Sequence, residues 1–348
     1  MIKAAWMPDS LANNRSVSLM KKSMELAGIQ NVSSKKQLSK NDYLVLNFYE
    51  DIQKKYGFYA VCYLGKLVRL ICFRMKGIRI IWFVNNKVPH DDNAFYAVKM
   101  MKHLVKMSEK VVIMCTESVD VIRNIDPVEK DWKNKLIYLP HPSYIGAYTE
   151  REAISQKQKS TDFNILFFGS IRPYKNVDLL IKTFKSMRYS DIHLTIAGKV
   201  KTKEYADYIT DLGEDDARIT LKLEYVSDED ICSLIAENDI VVLPFDTKTM
   251  LNSGSVILTC SCGSTFISPE IGTVKDLPHD GNFYSYTYSS EKEQETELLA
   301  CMNRAYKDYA TDEKAFSEKG DHLKKYIAAN NSIECLAEVW KKNLDTVR

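Results

Sequence analysis

The feature that most constrains this chain is the alternation of short apolar runs with longer stretches of helical period. Apolar, largely β-branched runs fall at 43–47, 78–84, 111–115 and 136–139, then at 164–168, 192–197, 219–223, 240–243 and 265–268. Several are unbroken rather than alternating, which is how strands covered on both faces read. Segments of helical period lie between them, among them 177–187, 202–212 and 228–237. Such alternation predicts α/β architecture, with parallel sheets joined by right-handed crossovers. A chain of 348 residues exceeds one ordinary core, so two α/β domains are expected. The polar stretch 150–162, rich in Lys, Gln and Ser, reads as their boundary, giving domains at 1–155 and 162–330. From 291 onward the pattern is nearly all helical.

Composition excludes several classes. Hydrophobic (45%) and charged (27%) fractions match globular averages and leave no room for a disordered or fibrous chain. The net charge of +2 conceals an imbalance: residues 1–160 hold 26 Lys/Arg against 15 Asp/Glu, and the rest is acidic. A basic first half points to an anionic surface or ligand on that side. No nucleic-acid partner is expected. The N-terminus lacks a secretory pattern, and no uncharged apolar run reaches the ~18 residues of a spanning helix. The most hydrophobic window, 63–84, is interrupted by Lys66, Arg69, Arg74, Lys76 and Arg79. With Leu67, Leu70, Ile71 and Phe73, the stretch 66–79 reads either as an amphipathic basic helix lying on an anionic leaflet or as a helix packed on its sheet. The eight cysteines are scattered, Cys260 and Cys262 being the one close pair, and no zinc spacing is completed. Reduced, mostly buried thiols of a cytoplasmic protein are expected.

The second half carries the clearest chemistry. Asn164-Ile165-Leu166-Phe167-Phe168-Gly169-Ser170-Ile171-Arg172-Pro173-Tyr174-Lys175-Asn176-Val177 reads as strand, small-residue turn and helix start, with Asn176 as N-cap. Arg172 and Lys175 then sit beside a strand's carboxyl end, where open α/β sheets bind ligands, and two cations there suit a diphosphate. The alternative is a solvated loop with two ordinary charges. Downstream, Ser253-Gly254-Ser255 opens a helix ending near Gly263, and such a start presents free N–H groups and hydroxyls to an anion. Plain N-capping by Ser253 is its simpler reading. A third loop, Glu224-Tyr225-Val226-Ser227-Asp228, follows a strand; Ser227 is expected to cap the next helix, and Tyr225 and Val226 to flank a nucleobase or merely pack.

These elements, in this order, resemble the nucleotide-sugar half of GT-B glycosyltransferases, especially the retaining family 4 group. The resemblance covers roughly 160–285. It implies two Rossmann-like domains with parallel sheets facing across a cleft, and a donor diphosphate gripped by Gly169, Ser170, Arg172 and Lys175. Tyr225 and Val226 fall at its base-binding position, and Ser253, Gly254 and Ser255 at its second phosphate clamp. The implied donor is a UDP- or GDP-hexose, with no cofactor and no metal, and the implied outcome is retention. The first half is similar, less strongly, to bacterial transferases that build capsules and other surface polysaccharides on lipid-diphosphate-linked acceptors. Their Val-His-Asn and Pro-His-Asp pattern reads here Val84-Asn85-Asn86-Lys87-Val88-Pro89-His90-Asp91, so the resemblance implies catalytic positions for His90 and Asp91; an ordinary loop His, with Asp91 and Asp92 capping the helix through 95–106, is the alternative. The segment 331–348, with Trp340, is expected to return to the first domain. Two departures stand out. Asn85 replaces the usual first His, and Met250 and Leu258 occupy the positions of the group's paired glutamates. A non-catalytic subunit that has kept the fold is therefore the rival reading.

On the acceptor side, Asn13, Asn14 and Arg15 lie between a short apolar start and an amphipathic helix, where a first βα loop contacts a sugar or lipid diphosphate. Asn86 joins them as an acceptor contact. A helix cap with a surface Arg is the plain alternative. Such an enzyme is expected in the cytoplasm, peripheral on the inner leaflet.

Overall fold

A computed structural model describes residues 1–8, 14–52, 58–87, 94–148 and 162–344. Two compact units emerge. Unit 1 comprises Met1–Pro142, Lys248–Asn252 and Asn331–Arg348; unit 2 comprises Ser143–Thr247 and Ser253–Asn330. The division falls earlier than the expected 155/162, and Tyr144, just past it, donates its N–H to Ser261 Oγ of the same unit (3.0 Å). The expected linker itself lies outside the described residues.

Unit 1 contains β1 (Lys3–Met7), α1 (Arg15–Leu26), β2 (Gln30–Asn31), β3 (Tyr43–Leu46), α2 (Tyr59–Met75), β4 (Arg79–Val84), α3 (Ala94–Met107), β5 (Lys110–Ile113), α4 (Ser118–Ile125) and β6 (Leu136–Tyr138). Its six strands run parallel in the order β2-β1-β3-β4-β5-β6. The unbroken apolar run of β4 now has its reason. Ile80, Trp82 and Val84 enter one core cluster, with Leu70 of α2 and Met100 of α3. Ile81 and Phe83 enter the opposite cluster. A strand covered on both faces needs apolar side chains at every position.

Unit 2 contains β7 (Phe163–Phe168), α5 (Val177–Lys185), β8 (Ile192–Ala197), α6 (Lys203–Gly213), β9 (Ile219–Lys222), α7 (Ile231–Ala236), β10 (Ile240–Val242), α8 (Gly254–Ser261), β11 (Thr265–Pro269), α9 (Gly272–Lys275), β12 (Tyr284–Tyr286), α10 (Glu291–Thr311) and α11 (Glu313–Asn330). These six strands are also parallel, ordered β12-β11-β10-β7-β8-β9. The chain then enters α12 (Ile333–Asn343) of unit 1, where Trp340 is fully buried and its Nε1 donates to Ser23 Oγ of α1 (2.9 Å).

All nine expected runs are strands, and β1, β2 and β12 are additional. β1 (KAAWM) has no β-branched residue, and β2 and β12 have two and three residues, too short to show a period. The eight cysteines are free thiols, but the close pair in space is Cys232 and Cys262, 3.1 Å apart at sulfur, because Cys262 ends α8 while Cys260 faces the core.

Candidate functional site

In unit 2, β7 and β10 are neighbours whose chains continue in opposite directions across the sheet, β7 to β8 and β10 to β11. Open parallel sheets bind ligands at the carboxyl ends beside such a reversal. The loop after β7 is held by the next strand: Gly169 N donates to Ala197 O (3.0 Å) and Ile171 N to Lys199 O (3.0 Å). Gly169 has φ +115°, a region that suits glycine. Gly198 is more constrained still, since a Cβ there would stand 1.9 Å from the Gly169 carbonyl oxygen.

A 3₁₀ turn, Pro173–Lys175, follows and ends at Asn176, which is left-handed (φ 52°, ψ 40°). Asn176 does not cap α5 with its side chain, contrary to expectation. The left-handed backbone carries its amide away from the helix start, and Nδ2 donates to Gln294 Oε1 of α10 (3.3 Å). Gln294 Nε2 in turn donates to the carbonyls of Pro244 (3.1 Å) and Phe245 (3.3 Å) after β10. Asp246 N donates to Tyr174 O (3.0 Å). One buried glutamine thus braces both strand-end loops. Neither Gly198 nor Gln294 was evident in the sequence; each acts on a partner far away in the chain.

Three expected residues converge inside this frame. The point where a Gly169 Cβ would stand is 3.4 Å from Lys175 Nζ and 3.7 Å from Ser255 Oγ. Arg172 Nε donates to Ser170 Oγ (3.2 Å). Lys175 Nζ also lies 5.7 Å from the Phe245 ring centre. Neither cation pairs with a carboxylate among the described residues. Burial, and then the Arg172 charge, pull the Lys175 ammonium down to about 8. Ser253 caps α8, accepting from Val256 N (3.4 Å), while its own N–H donates to Thr273 Oγ1 (3.0 Å). The first-turn N–H groups of Gly254 and Ser255 have no intrahelical acceptor, and the helix dipole adds partial positive charge. The arrangement can hold a compact anion.

A cavity of about 640 Å³ opens beyond β9, lined by Lys222, Glu224, Tyr225, Val226, Ser227 and Asp230 among others. Tyr225 is 71% exposed. Ser227 makes the expected capping-box contacts, its Oγ accepting from Asp230 N (3.2 Å) and donating to Asp230 Oδ2 (2.7 Å), but they close a turn, and α7 starts only at Ile231 with Asp230 as cap residue. β9 is two strands from β7, ~9.5 Å at ordinary strand spacing.

In unit 1, Asn14 caps α1, its Oδ1 accepting from Val17 N (3.2 Å), and Arg15 is exposed at the helix start. Asn86 is buried after β4, and β3 separates its strand from β1, which precedes Asn14. Asn13, His90 and Asp91 lie outside the described residues. His141 is buried beside Ser16 Oγ (3.3 Å), and desolvation pulls it down to about 4, so it is neutral in ordinary buffers. Met250 and Leu258 are both buried, Met250 in the segment that clusters with unit 1 and Leu258 on α8.

Residues 162–308 match the family of group 1 glycosyl transferases. A GDP-mannose:glycolipid 4-β-D-mannosyltransferase of Xanthomonas campestris pv. campestris is 23% identical over 200 residues, covering 58% of this chain and 52% of that protein. The chain spans about half the length of the curated relatives it matches. Among solved structures, Anabaena Alr3699/HepE in complex with UDP and glucose superimposes with a TM-score of 0.67 at 12% identity, covering 97% of this chain and 98% of that one. Sucrose-phosphate synthase from Thermosynechococcus elongatus gives 0.71 at 11% identity, covering 98% of each chain. The fold is that of GT-B glycosyltransferases.

Proposed function

We propose that the protein is a glycosyltransferase moving a hexose from a nucleoside diphosphate sugar, UDP- or GDP-linked, to a lipid-linked saccharide in surface polysaccharide synthesis. The observation that carries the reading is the pair of cations in the loop after β7, Lys175 half-buried and without a carboxylate partner among the described residues, near the start of α8. An uncompensated ammonium in a low-dielectric setting is costly unless an anion arrives, and a diphosphate supplies one. Arg172, Lys175 and the α8 N–H groups then stabilise charge as it develops on the leaving diphosphate, without a metal ion. Gly169 and Ser170 let the phosphates approach, and the nucleobase reaches toward Tyr225 and Val226. On unit 1, Asn13, Asn14, Arg15 and Asn86 meet the acceptor, with His90 and Asp91 as the reacting pair. Retention of anomeric configuration and a place on the inner membrane leaflet complete the proposal.

A second reading has a specific observation behind it. With Met250 and Leu258 buried at the positions of the resembling group's glutamates, a binding subunit without turnover is the competitor. Incubating the protein with radiolabelled UDP- and GDP-hexoses and membrane lipid extract separates the two. Label entering the lipid fraction supports transfer; tight nucleotide binding with no label transferred and no sugar released favours the subunit.

A further inference from the structure

For the stretch 66–79 the sequence offers two readings, with Leu67, Leu70, Ile71 and Phe73 facing an anionic leaflet or packing on the sheet. The structure packs three of the four. Leu70 is buried, and Leu67 and Phe73 pack against the unit 1 core. Lys66 turns inward, donating to the carbonyls of Tyr49 (2.9 Å) and Asp51 (2.6 Å). Arg79 starts β4, donates to Asn41 O and stacks 4.0 Å from the Tyr43 ring centre. A different set faces outward. Val61 (56% exposed), Leu64 (54%), Val68 (58%), Ile71 (42%) and Met75 (82%) recur at spacings of three and four residues, a single stripe along α2.

α3 continues the surface. Its Phe95 (61%) and Val98 (39%) are exposed. The two helices pack directly: the Tyr63 ring lies 5.4 Å from that of Tyr96, and Tyr63 Oη meets His103 Nε2 at 2.9 Å. Together with Phe58, which precedes α2, these residues are eight of the fifteen exposed large hydrophobic side chains among the described residues. Scattered apolar side chains are ordinary, but this concentration on two adjacent helices is not. Neither helix contains an acidic residue. Arg69, Arg74, Lys76, Lys99 and Lys102 stand exposed around the stripe, with Lys99 Nζ 4.2 Å from the Phe95 ring centre.

We propose that the outward faces of α2 and α3 are a docking surface for an anionic lipid bilayer. It rests on the reading that the acceptor is lipid-borne, and adds the surface that brings the enzyme to it. Charge complementarity selects the occupant: an apolar stripe on two helices whose charged residues are all cations fits acyl chains beneath anionic headgroups. No helix among the described residues is long and apolar enough to cross a membrane, so α2 lies in the interface, its 17 residues extending ~25 Å. The stripe enters the headgroup–acyl boundary and the neighbouring Lys and Arg side chains meet the anionic headgroups.

The test is flotation of the purified full chain with phosphatidylcholine vesicles, with and without about 30% phosphatidylglycerol, alongside light scattering in lipid-free buffer. The proposal expects flotation with the anionic vesicles, weakened by salt, and at least a tenfold loss in V68E/M75E. Both positions are exposed enough to accept a charge without disturbing the core. Wild type that stays in the pellet, or a double variant that floats equally well, overturns it. So does a wild-type dimer that V68E/M75E converts to monomer, because the stripe then serves a second copy. UDP and GDP binding by V68E/M75E is measured on the same samples. Retained nucleotide binding with lost flotation keeps the donor reading intact, whereas flotation without nucleotide binding in wild type sinks the donor reading and leaves the docking surface standing.

Discussion

Two lysines occupy comparable places in the two sheets and differ in company. Lys87, just past the carboxyl end of β4 in unit 1, is closed by Glu117 at 2.5 Å. Lys175, past the carboxyl end of β7 in unit 2, lies beside Gly169 and the Phe245 ring and pairs with no carboxylate among the described residues. The rest of each edge follows suit. Among the described residues of unit 1, two more titratable groups past strand ends are packed away: Glu50 after β3 is buried and accepts from Trp82 Nε1 (3.0 Å), and His141 after β6 is buried and neutral. Asn252 Nδ2 covers the carbonyls of Val84 (3.3 Å) and Asn85 (3.1 Å) at the end of β4. Unit 2 instead keeps free amides and cations at its strand ends. The same parallel architecture therefore spends its charge in two ways. The basic half of the chain carries cations on helix surfaces, around α2 and α3, while the acidic half holds two at the edge proposed for the donor diphosphate.

That contrast can be broken at several points. The largest effect is expected at the glycines. Gly198→Ala places a Cβ against the Gly169 backbone, so unit 2 should lose on the order of 3–5 kcal/mol and nucleotide binding with it. Gly77→Ala in unit 1 meets only the flexible Lys40 side chain, at 2.8 Å, and should cost about 1 kcal/mol, mostly from its positive φ. Thermal melts of both variants decide; equal losses would mean the Gly169 loop is not braced as described. Next comes Gln294→Ala, which leaves two loop carbonyls and Asn176 without their partner. Roughly 2 kcal/mol of stability and about tenfold in nucleotide affinity should go, while far-UV circular dichroism stays unchanged. Unchanged affinity would detach α10 from the site.

A pH-dependent effect probes unit 1. Burial raises the Glu50 carboxyl to about 7, so its folded form holds a proton that the unfolded chain releases. A raised folded value contributes stability that is present below the ordinary carboxylate range and lost as pH rises through about 7. Glu50→Gln should therefore stabilise unit 1 by on the order of 2 kcal/mol at about pH 8 and hardly at all at about pH 4. A melting temperature that gains equally at both would place the Glu50 charge in water rather than in the core.

Much of the fold was legible in the sequence because buried strands announce themselves locally: every residue of FNILFF is apolar except Asn164, and every such run became a strand. The turn at Gly169 and the Ser253 cap of α8 were legible for the same reason, since each is set by its immediate neighbours. What was not legible depends on partners distant in the chain. Gly198 matters only because of the Gly169 carbonyl, and Gln294 only because of loops about 50 and 118 residues away. On α2 the apolar residues were visible but their phase was not. Leu67, Leu70 and Phe73 look as suited to a surface as Val61, Val68 and Met75 until the sheet shows which side it covers. Charge counting has a similar limit, because Lys66 and Arg79 add to the basic total while serving the interior.

The central claim is that Lys175 awaits a diphosphate, and proton linkage tests it most directly. A lysine lowered to about 8 in the empty site must be charged to bind phosphate, so affinity should fall as pH rises past that value. Calorimetric titration of wild type and Lys175→Met with UDP and GDP, at about pH 7 and about pH 9, should show wild-type affinity dropping roughly tenfold between the two. The methionine variant should be weaker by roughly 30-fold or more at the lower pH and nearly insensitive to the change. Wild-type-like affinity in Lys175→Met, or an unaltered pH dependence, would contradict the account.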